Sequence, residues 1–289
     1  MMNKILSLVL LFLLINCKKK EVKETPSYNK GEITIYTDDA YHSVVEALAG
    51  GYEISYPETK ITVKTEKEDL AFLDLLNGKV KMIAMSRDLN DAEKKEYEKQ
   101  IELKYQPAKF AADAVVFIVP KSSAIDRLSY DDIVKGLQSQ DKPFVFDGAN
   151  SSNINFVAQK IGIEQKNLNF SVVSGNKNLA EQLHKFPNKI GVIGLNTISR
   201  IYNKNTDSLS ANIKILPIEY QGKLYFPDSN NLREMTYPFT RVIYFLANEG
   251  NFNLANGIIR YSCTQLGQMI VEKEGLQPYN LYKREVQMK

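Results

Sequence analysis

A turn of small polar residues opens a helical pattern within residues 144–162, FVFDGANSSNINFVAQKIG. Asn150, Ser151 and Ser152 form this turn, between a short β-type run and apolar residues at helical spacing. Free backbone N–H groups and the positive end of a helix meet at such a turn, so it can bind an anion. Asp147 stands at its mouth and opposes that chemistry, because an ionised carboxylate only accepts hydrogen bonds and repels anions.

The residues that could support catalysis are few and scattered. His42 and His184 lie in separate helix-like segments without metal-ligand spacing. The sequence has no Gly-x-Ser-x-Gly elbow, no phosphate-cradling Gly-Lys-Ser/Thr loop and no Cys-x-x-Cys motif. We therefore expect a protein that is not an enzyme and needs no cofactor or metal.

Charge is unevenly distributed along the chain. The formal net charge of the 289 residues is +3, yet six lysines and only two glutamates precede Gly31. The remainder is slightly acidic, which argues against nucleic acid as a partner. With 44% hydrophobic and 25% charged residues, the composition is that of an ordinary globular protein.

The N-terminus has the pattern of an export signal. Lys4 precedes the apolar run ILSLVLLFLLI, which is short for a membrane span and is followed by Asn16-Cys17. The tetrapeptide LINC resembles a bacterial lipobox, which implies cleavage before Cys17 and lipid attachment to its sulfur. A plain signal peptide or a short anchor helix is the alternative. Residues 18–30 are polar and charged, as in a flexible tether, so we expect the fold to start near Gly31.

Only one other cysteine is present, Cys263, in a helical stretch. With Cys17 acylated it has no disulfide partner, and we expect it to be a buried apolar residue.

Short β-type runs alternate with helical patterns through most of the chain. Examples are EITIYT, KITVKT and KMIAMS, separated by SVVEALAGGYEIS and EDLAFLDLLNG. This alternation is typical of βαβ units and a mostly parallel sheet. The continuous apolar run DAVVFIVP predicts a central strand. We therefore predict an α/β protein with two domains.

Five segments, in order, resemble the type II periplasmic binding proteins, and within them the phosphate-binding proteins of ABC transporters in their divergent lipoprotein branch. They are MSRDLNDAEKKEY, KFAADAVVFIVPKSSAIDRLSYDDIVKGL, NKIGVIGLNTIS, YPFTRVIYFLANE and LGQMIVEKEGLQP. The resemblance extends over residues 31–280. It implies two α/β lobes with mixed sheets: residues 31–115 and 238–289 in lobe 1, and residues 116–237 in lobe 2. The strands DAVVFIVP and RVIYFLA would form the hinge.

The same resemblance implies which residues bind the ligand. The loop after the first strand corresponds to Asp38, Asp39 and Ala40, and the Ser-Arg-Pro stretch to Ser86 and Arg87. Asp147 takes the place of an arginine in the family, followed by the turn residues Asn150, Ser151 and Ser152. A glycine-containing second loop of the family corresponds here to TEKED, which has no glycine.

Each of these residues also has a purely structural interpretation. The two serines could be ordinary helix caps, the Asp38-Asp39 pair could favour a helix dipole, and Arg87 could form a salt bridge. If the site is functional, Arg87 would supply the cation that Asp147 cannot, and it would pair with an acid while the site is empty. Alternatively, an aspartate accepts a proton from a ligand such as hydrogen phosphate, or the ligand is cationic or zwitterionic.

From these observations we expect a monomeric, lipid-anchored solute-binding protein in the cell envelope, facing the periplasm. It would capture a small oxyanion, with phosphate as the first candidate, and deliver it to an ABC permease or another envelope transport complex. The alternative from a different class is a degenerate binding-protein fold that acts as a protein-interaction module in the envelope. A metal-assisted hydrolase is a third, weaker hypothesis.

Overall fold

The computed structural model describes residues 27–200 and 204–280. The first third of this region alternates strands with helices, as the sequence predicts. The strands are β1 (Lys30–Thr37), β2 (Glu58–Thr65) and β3 (Met82–Met85), and the helices are α1 (His42–Ser55), α2 (Glu68–Leu76) and α3 (Asp91–Ile101). The three strands pair in parallel, β2 to β1 and β1 to β3.

The middle of the chain begins with the longest of these strands, β4 (Ala108–Pro120), and continues with short elements. They are β5 (Leu128–Ser129), α4 (Tyr130–Gln138), β6 (Phe144–Phe146), α5 (Ser152–Ile161), β7 (Ser171–Val172), α6 (Asn176–Gln182), β8 (Ile190–Gly194), α7 (Asn196–Ser199), α8 (Lys204–Asn212), β9 (Ile213–Leu216), β10 (Ile218–Tyr220), β11 (Lys223–Tyr225) and α9 (Ser229–Arg233). Ser129 caps α4 as its sequence position suggests, because its hydroxyl accepts the Asp132 N–H.

The chain then returns to the first sheet. Its last described elements are β12 (Thr240–Ala247), α10 (Leu254–Ser262), α11 (Gln265–Lys273) and β13 (Gln277–Pro278). The chain thus ends, within the described residues, with two helices and a short strand. None of the helices in residues 27–200 and 204–280 is long and apolar enough to cross a membrane.

Strand β4 connects the two halves of the molecule. The sheet order is β2-β1-β3-β12-β4-β8-β6-β7, and β9 and β13 also pair with β4. Residues of β4 up to Ala114 pair with β12, whereas those from Val115 onward pair with β8 and β9. All of these partners are antiparallel to β4, so the sheet is mixed rather than mostly parallel. A second, three-stranded sheet has the order β11-β10-β5.

Two large apolar clusters lie on either side of this change of partners. One includes Phe117, Phe144 and Phe239, and the other includes Phe110 and Phe245. We use the names lobe 1 and lobe 2 for the ranges predicted from the sequence, whose boundaries remain a prediction. The change of partners between Ala114 and Val115 lies next to the predicted boundary at residue 115.

Two details differ from the expectations. The tether was predicted to reach residue 30, but the Tyr28 ring packs edge-on against Tyr56, with ring centroids 5.7 Å apart. The Tyr52 hydroxyl also donates a hydrogen bond to the Tyr28 carbonyl. Residues 1–26, including Cys17 and most of the predicted tether, lie outside the described residues. Cys263 is half-buried rather than buried.

Candidate functional site

Three carboxylates converge where the two lobes meet. Asp38 and Asp39 follow β1, and Asp147 follows β6. One oxygen from each residue lies within 4.8 Å of the others. The polar loops bring these side chains together because β1 and β6 both end on this side of the sheet. We call this group the carboxylate cluster.

The Asp38 carboxylate caps a helix of the opposite lobe. Its Oδ2 atom accepts the backbone N–H of Ser152, the first residue of α5, at 3.0 Å, and its Oδ1 accepts the Ala40 N–H at 3.1 Å. Asp38 is buried. The anion-binding end of α5 predicted from the sequence is thus occupied by a carboxylate from the chain itself.

Asp147 organises the turn in front of α5. Ser151 occupies the cap position, yet its hydroxyl donates to Asp147 Oδ1 at 2.7 Å instead of capping the helix. The Asn153 amide donates to the same oxygen at 2.9 Å, and the Asn176 amide donates to Asp147 Oδ2 at 2.9 Å. The carboxylate at the mouth of the turn therefore fixes the turn through three side-chain donors.

Asp39 forms a second contact between the lobes. Its Oδ2 atom accepts the backbone N–H of Asn176, the first residue of α6, at 2.7 Å. Although Asp38 and Asp39 are adjacent in sequence, their carboxylates reach the first residues of two different helices. Both are therefore hydrogen-bonded to lobe 2.

Lys67 supplies the positive charge of the cluster. Its Nζ atom lies 3.0 Å from Asp39 Oδ1 and 3.2 Å from Asp147 Oδ2. A Cβ on Gly148 would lie 3.0 Å from Lys67 Cε, so glycine leaves room for the lysine. The three carboxylates hold the pKa of Lys67 above its ordinary value, because their attraction outweighs the opposing effect of burial.

The three acids differ in their pKa. Burial, followed by repulsion from Asp147, raises the pKa of Asp38 from 3.8 to about 7. Burial also raises the pKa of Asp147, although Lys67 opposes the shift. For Asp39, burial acts upward but Lys67 and the Asn176 hydrogen bonds outweigh it, so its pKa lies below the ordinary value.

Three clustered carboxylates are also a common cation-binding arrangement. Here the Lys67 ammonium already lies at hydrogen-bonding distance from Asp39 and Asp147. The backbone N–H groups of Ser152 and Asn176 occupy further carboxylate oxygens. Donors on the chain therefore already occupy these carboxylate oxygens.

A buried ion pair adjoins the cluster. Arg241 of β12 and Asp113 of β4 are both fully buried, and Nη2 of the arginine lies 2.7 Å from Asp113 Oδ2. The Arg241 Nη1 atom lies 3.2 Å from Ser152 Oγ and 3.5 Å from Ser86 Oγ. The Arg241 guanidinium, the Ser152 hydroxyl and the Ser152 N–H thus form a set of donors at the start of α5, whereas the Ser86 hydroxyl donates to Glu68 Oε1 at 3.0 Å.

Gly194 permits the close approach of these parts. A Cβ at this position would lie 2.7 Å from the Ala40 carbonyl oxygen and 2.7 Å from Arg241 Nη2. The Gly194 N–H donates to Asn176 Oδ1 at 2.9 Å. The end of β8 therefore packs directly against the first loop and against the buried arginine.

Arg87 does not reach the carboxylate cluster. Its guanidinium lies 2.9 Å from Asp69 and 2.7 Å from Glu93, and its Nε atom lies 3.7 Å from Glu68. These partners raise the pKa of Arg87 despite its burial. Arg87 is thus paired with acids of lobe 1, as expected of it in an empty site or as a structural salt bridge, and its role as the cation for a ligand stays a prediction.

The other predicted site residues divide into two groups. Asp38, Asp39, Ser86, Ser151 and Ser152 join Asp147 at or beside the cluster. Ala40 is buried and takes part through its backbone N–H, whereas Asn150 is exposed on the turn.

Several residues of the site were not predicted, namely Lys67, Asp113, Asn153, Asn176, Gly194 and Arg241. A signal existed for two of them, since Asp113 and Arg241 are charges within otherwise apolar strands. Lys67 lies in the TEKED loop, which was not predicted to belong to the site because it has no glycine.

A cavity of about 170 Å³ opens beside Asp39. Its lining includes two cations, Lys177 and Arg200, and the hydroxyls of Ser43, Thr197 and Thr206. Arg200 is partly neutralised by Glu274, whose Oε1 lies 3.1 Å from the arginine Nε. Lys177 lies 3.8 Å from Glu181, so both cations of this cavity have acidic partners.

Comparison with known proteins agrees with this architecture. The sequence profile of the PBP superfamily domain matches residues 22–264. The chain belongs to this superfamily. A phosphate-binding protein, PstS, from Borreliella burgdorferi (strain B31) is 23% identical over 298 residues, covering 95% of this chain and 98% of the relative.

Solved structures of the superfamily have the same fold. A putative phosphate ABC transporter substrate-binding protein with bound phosphate, from Clostridium perfringens, has a TM-score of 0.69 and 17% identity, covering 86% of this chain and 99% of its own. An ABC-type phosphate transport receptor from Vibrio cholerae has a TM-score of 0.64 and 16% identity, covering 86% and 100%. This PBP-superfamily chain therefore has the fold of the type II periplasmic binding proteins.

Proposed function

We propose that the chain is a solute-binding protein that captures a small oxyanion, with phosphate as the first candidate, between its lobes. The observation that carries this proposal is the set of donors at the start of α5. It comprises the Ser152 N–H, the Ser152 hydroxyl and the Arg241 guanidinium. A helix N-terminus beside a hydroxyl and a guanidinium is suited to an oxyanion.

The relatives support the choice of ligand. The Borreliella relative is named a phosphate-binding protein, and the Clostridium structure contains phosphate. We extend this ligand to the present chain because the donor set lies at the interface of its lobes.

Titration with phosphate and sulfate tests the proposal. The anion should raise the melting temperature of the purified chain, because a ligand that binds only the native state stabilises it by RT ln(1 + [L]/Kd). Ser152→Ala removes one hydroxyl donor, and a hydrogen bond to a charged group contributes about 1.5–3 kcal/mol. We therefore expect roughly 10-fold to 100-fold weaker binding by isothermal titration.

Ser122→Ala is the matched control, because this serine is exposed on another turn. Its affinity should equal that of the wild type. If neither anion binds the wild type under any condition, the oxyanion proposal fails and the interaction-module alternative gains support.

We further propose that the chain acts as a monomer at the cell envelope, anchored by lipid at Cys17, and delivers its ligand to an ABC permease. The lipobox-like LINC after the apolar run supports the anchor. Cys17→Ser should move the protein from the membrane fraction to the soluble fraction. Continued membrane retention of this variant would contradict lipid attachment at Cys17.

A further inference from the structure

The Asp38 carboxylate at the start of α5 would compete with an external oxyanion for the Ser152 N–H. This inference rests on the proposed oxyanion function. Asp38 Oδ2 accepts the Ser152 N–H at 3.0 Å, and this N–H is part of the proposed donor set. A backbone N–H has one hydrogen to donate. An external oxyanion at this helix end therefore has to replace the Asp38 oxygen.

Asp38 is held by groups from both lobes. The titratable groups around it come from both lobes: they are Asp39, Lys67, Tyr41 and Glu68 of lobe 1 and Asp147 of lobe 2. Arg241 lies beside Ser152. Arg241 is neutralised by Asp113 at 2.7 Å. The single ammonium of Lys67 therefore faces three carboxylates, and the region carries an excess of negative charge.

This charge excess determines what happens when an anion enters. A dianion beside three ionised carboxylates is repelled strongly at low dielectric. The repulsion falls if the displaced carboxylate takes up a proton, and burial already raises the pKa of Asp38 to about 7. Asp38 is thus the acid whose protonation accommodates the ligand.

We propose that Asp38 determines the anion specificity of the cleft: it is a built-in carboxylate that an external oxyanion displaces from Ser152 and that takes up a proton from solvent on displacement. The ligand class follows from this exchange. A monoanion carries the same single charge as the Asp38 carboxylate that it replaces. A dianion interacts more strongly than that carboxylate with the Ser152 N–H and the nearby Arg241 guanidinium. The cleft should therefore prefer dianions such as sulfate and hydrogen phosphate over nitrate or formate.

Sulfate is the best probe, because it carries no titratable proton near neutral pH and any proton taken up must come to the protein. We would measure its affinity by isothermal titration at pH 6 and pH 8, in buffers of different ionisation enthalpy, for the wild type, Asp38→Ala and Asp38→Asn. Wild-type affinity should be at least several-fold weaker at pH 8, with uptake of up to one proton. Asp38→Ala should bind at least 10-fold tighter than the wild type at pH 8, with no uptake and little pH dependence.

Asp38→Asn retains the size of the side chain and loses the charge, so it keeps the test valid if the alanine variant folds poorly. It should also lose the proton uptake. Asp131→Asn removes a charge from an exposed position and should match the wild type in every measurement. In amide NMR spectra, the Ser152 resonance should move both on Asp38→Ala and on adding sulfate to the wild type.

The outcomes separate the two proposals. If the wild type binds sulfate or phosphate but the Asp38 variants bind equally or more weakly, the competition is wrong and the oxyanion function stands. Proton uptake that persists in Asp38→Ala likewise overturns the role of Asp38. If the wild type binds neither sulfate nor phosphate, the oxyanion function itself fails, and the inference fails with it.

Discussion

At the scale of single residues, the most consequential feature is a buried acid whose pKa rises on folding. Asp38 titrates near 3.8 when unfolded and near 7 in the folded chain. The folded state therefore holds a proton over an interval in which the unfolded state has lost it. Stability from this group is full below pH 3.8 and declines as the pH rises through 7.

We predict that the wild type loses stability between pH 5 and pH 8 and that Asp38→Asn loses much less. One pKa unit corresponds to about 1.4 kcal/mol, so the difference should be of the order of 2–4 kcal/mol. Urea unfolding at the two pH values measures it. Asp39 contributes nothing in this window, because its lowered pKa leaves it ionised in both states.

The pH dependence of stability that remains in Asp38→Asn should come from Asp147, whose pKa is also raised. Asp131→Asn serves as the control and should retain the wild-type slope. An equal loss of stability in the wild type and Asp38→Asn would show that the Asp38 carboxyl does not titrate differently on folding.

Some of the site could be predicted from residue types and some could not. The sequence predicted Asp147, Ser151 and Ser152 as site residues, because a turn before a helix has a characteristic composition. Lys67 was not, because a lysine on a polar loop resembles any solvated charge until its partners are known. The sequence also could not show which acids Arg87 contacts, namely Asp69 and Glu93, because these pairs depend on how α2 and α3 pack.

At the scale of elements, the end of β8 has to approach the first loop and the buried arginine closely. Gly194 makes this possible, and the nearest obstacle to a Cβ there is the backbone oxygen of Ala40. Backbone atoms cannot rotate away as the end of a side chain can. Any side chain at residue 194 therefore has to move a whole strand or loop.

We predict that Gly194→Ala destabilises the chain by about 1–3 kcal/mol through overpacking. Gly50→Ala is the matched control, because Gly50 lies within helix α1 and its Cβ would meet nothing within 4 Å. Alanine is the better helix former, so this variant should be stabilised by about 0.5–1 kcal/mol. Chemical denaturation measures both, and a Gly194→Ala variant as stable as the wild type would contradict the close approach.

Elements themselves were easier to predict than their partners. The runs EITIYT, KITVKT and KMIAMS correspond to β1, β2 and β3, because local composition determines strand formation. The insertion of β12 between β3 and β4 had no local signal, since hydrogen bonding between distant segments depends on the whole fold. The same limit explains why the alternation of elements alone indicated a mostly parallel sheet, whereas the mixed sheet implied by the family resemblance is confirmed.

At the scale of the whole molecule, the N-terminal segment joins lobe 1 through Tyr28. Its ring contacts Tyr56 and Phe252, and its carbonyl accepts the Tyr52 hydroxyl. The folded unit therefore includes part of the region predicted to be a tether. A boundary at Gly31 would remove these contacts.

We predict that a chain beginning at Gly31 is less stable than one beginning at Lys18, by about 1–2 kcal/mol, and that Tyr28→Ala reproduces most of this loss. Thermal unfolding compares the three. Ile54→Ala is the surface control, since Ile54 is 84% exposed, and it should change stability by less than about 0.5 kcal/mol. Equal melting temperatures for the two chain lengths would restore the tether boundary at residue 30.

The position of β12 has a consequence for the order in which the chain can fold. Met85 of β3 pairs with Tyr244 of β12, more than half the chain later. A polypeptide that leaves a ribosome or an export channel N-terminus first therefore presents β1, β2 and β3 long before their missing neighbour. The contiguous middle segment can complete its own sheet during this interval, whereas lobe 1 waits for the last elements. The sheet of lobe 1 therefore cannot be completed until β12 has been synthesised.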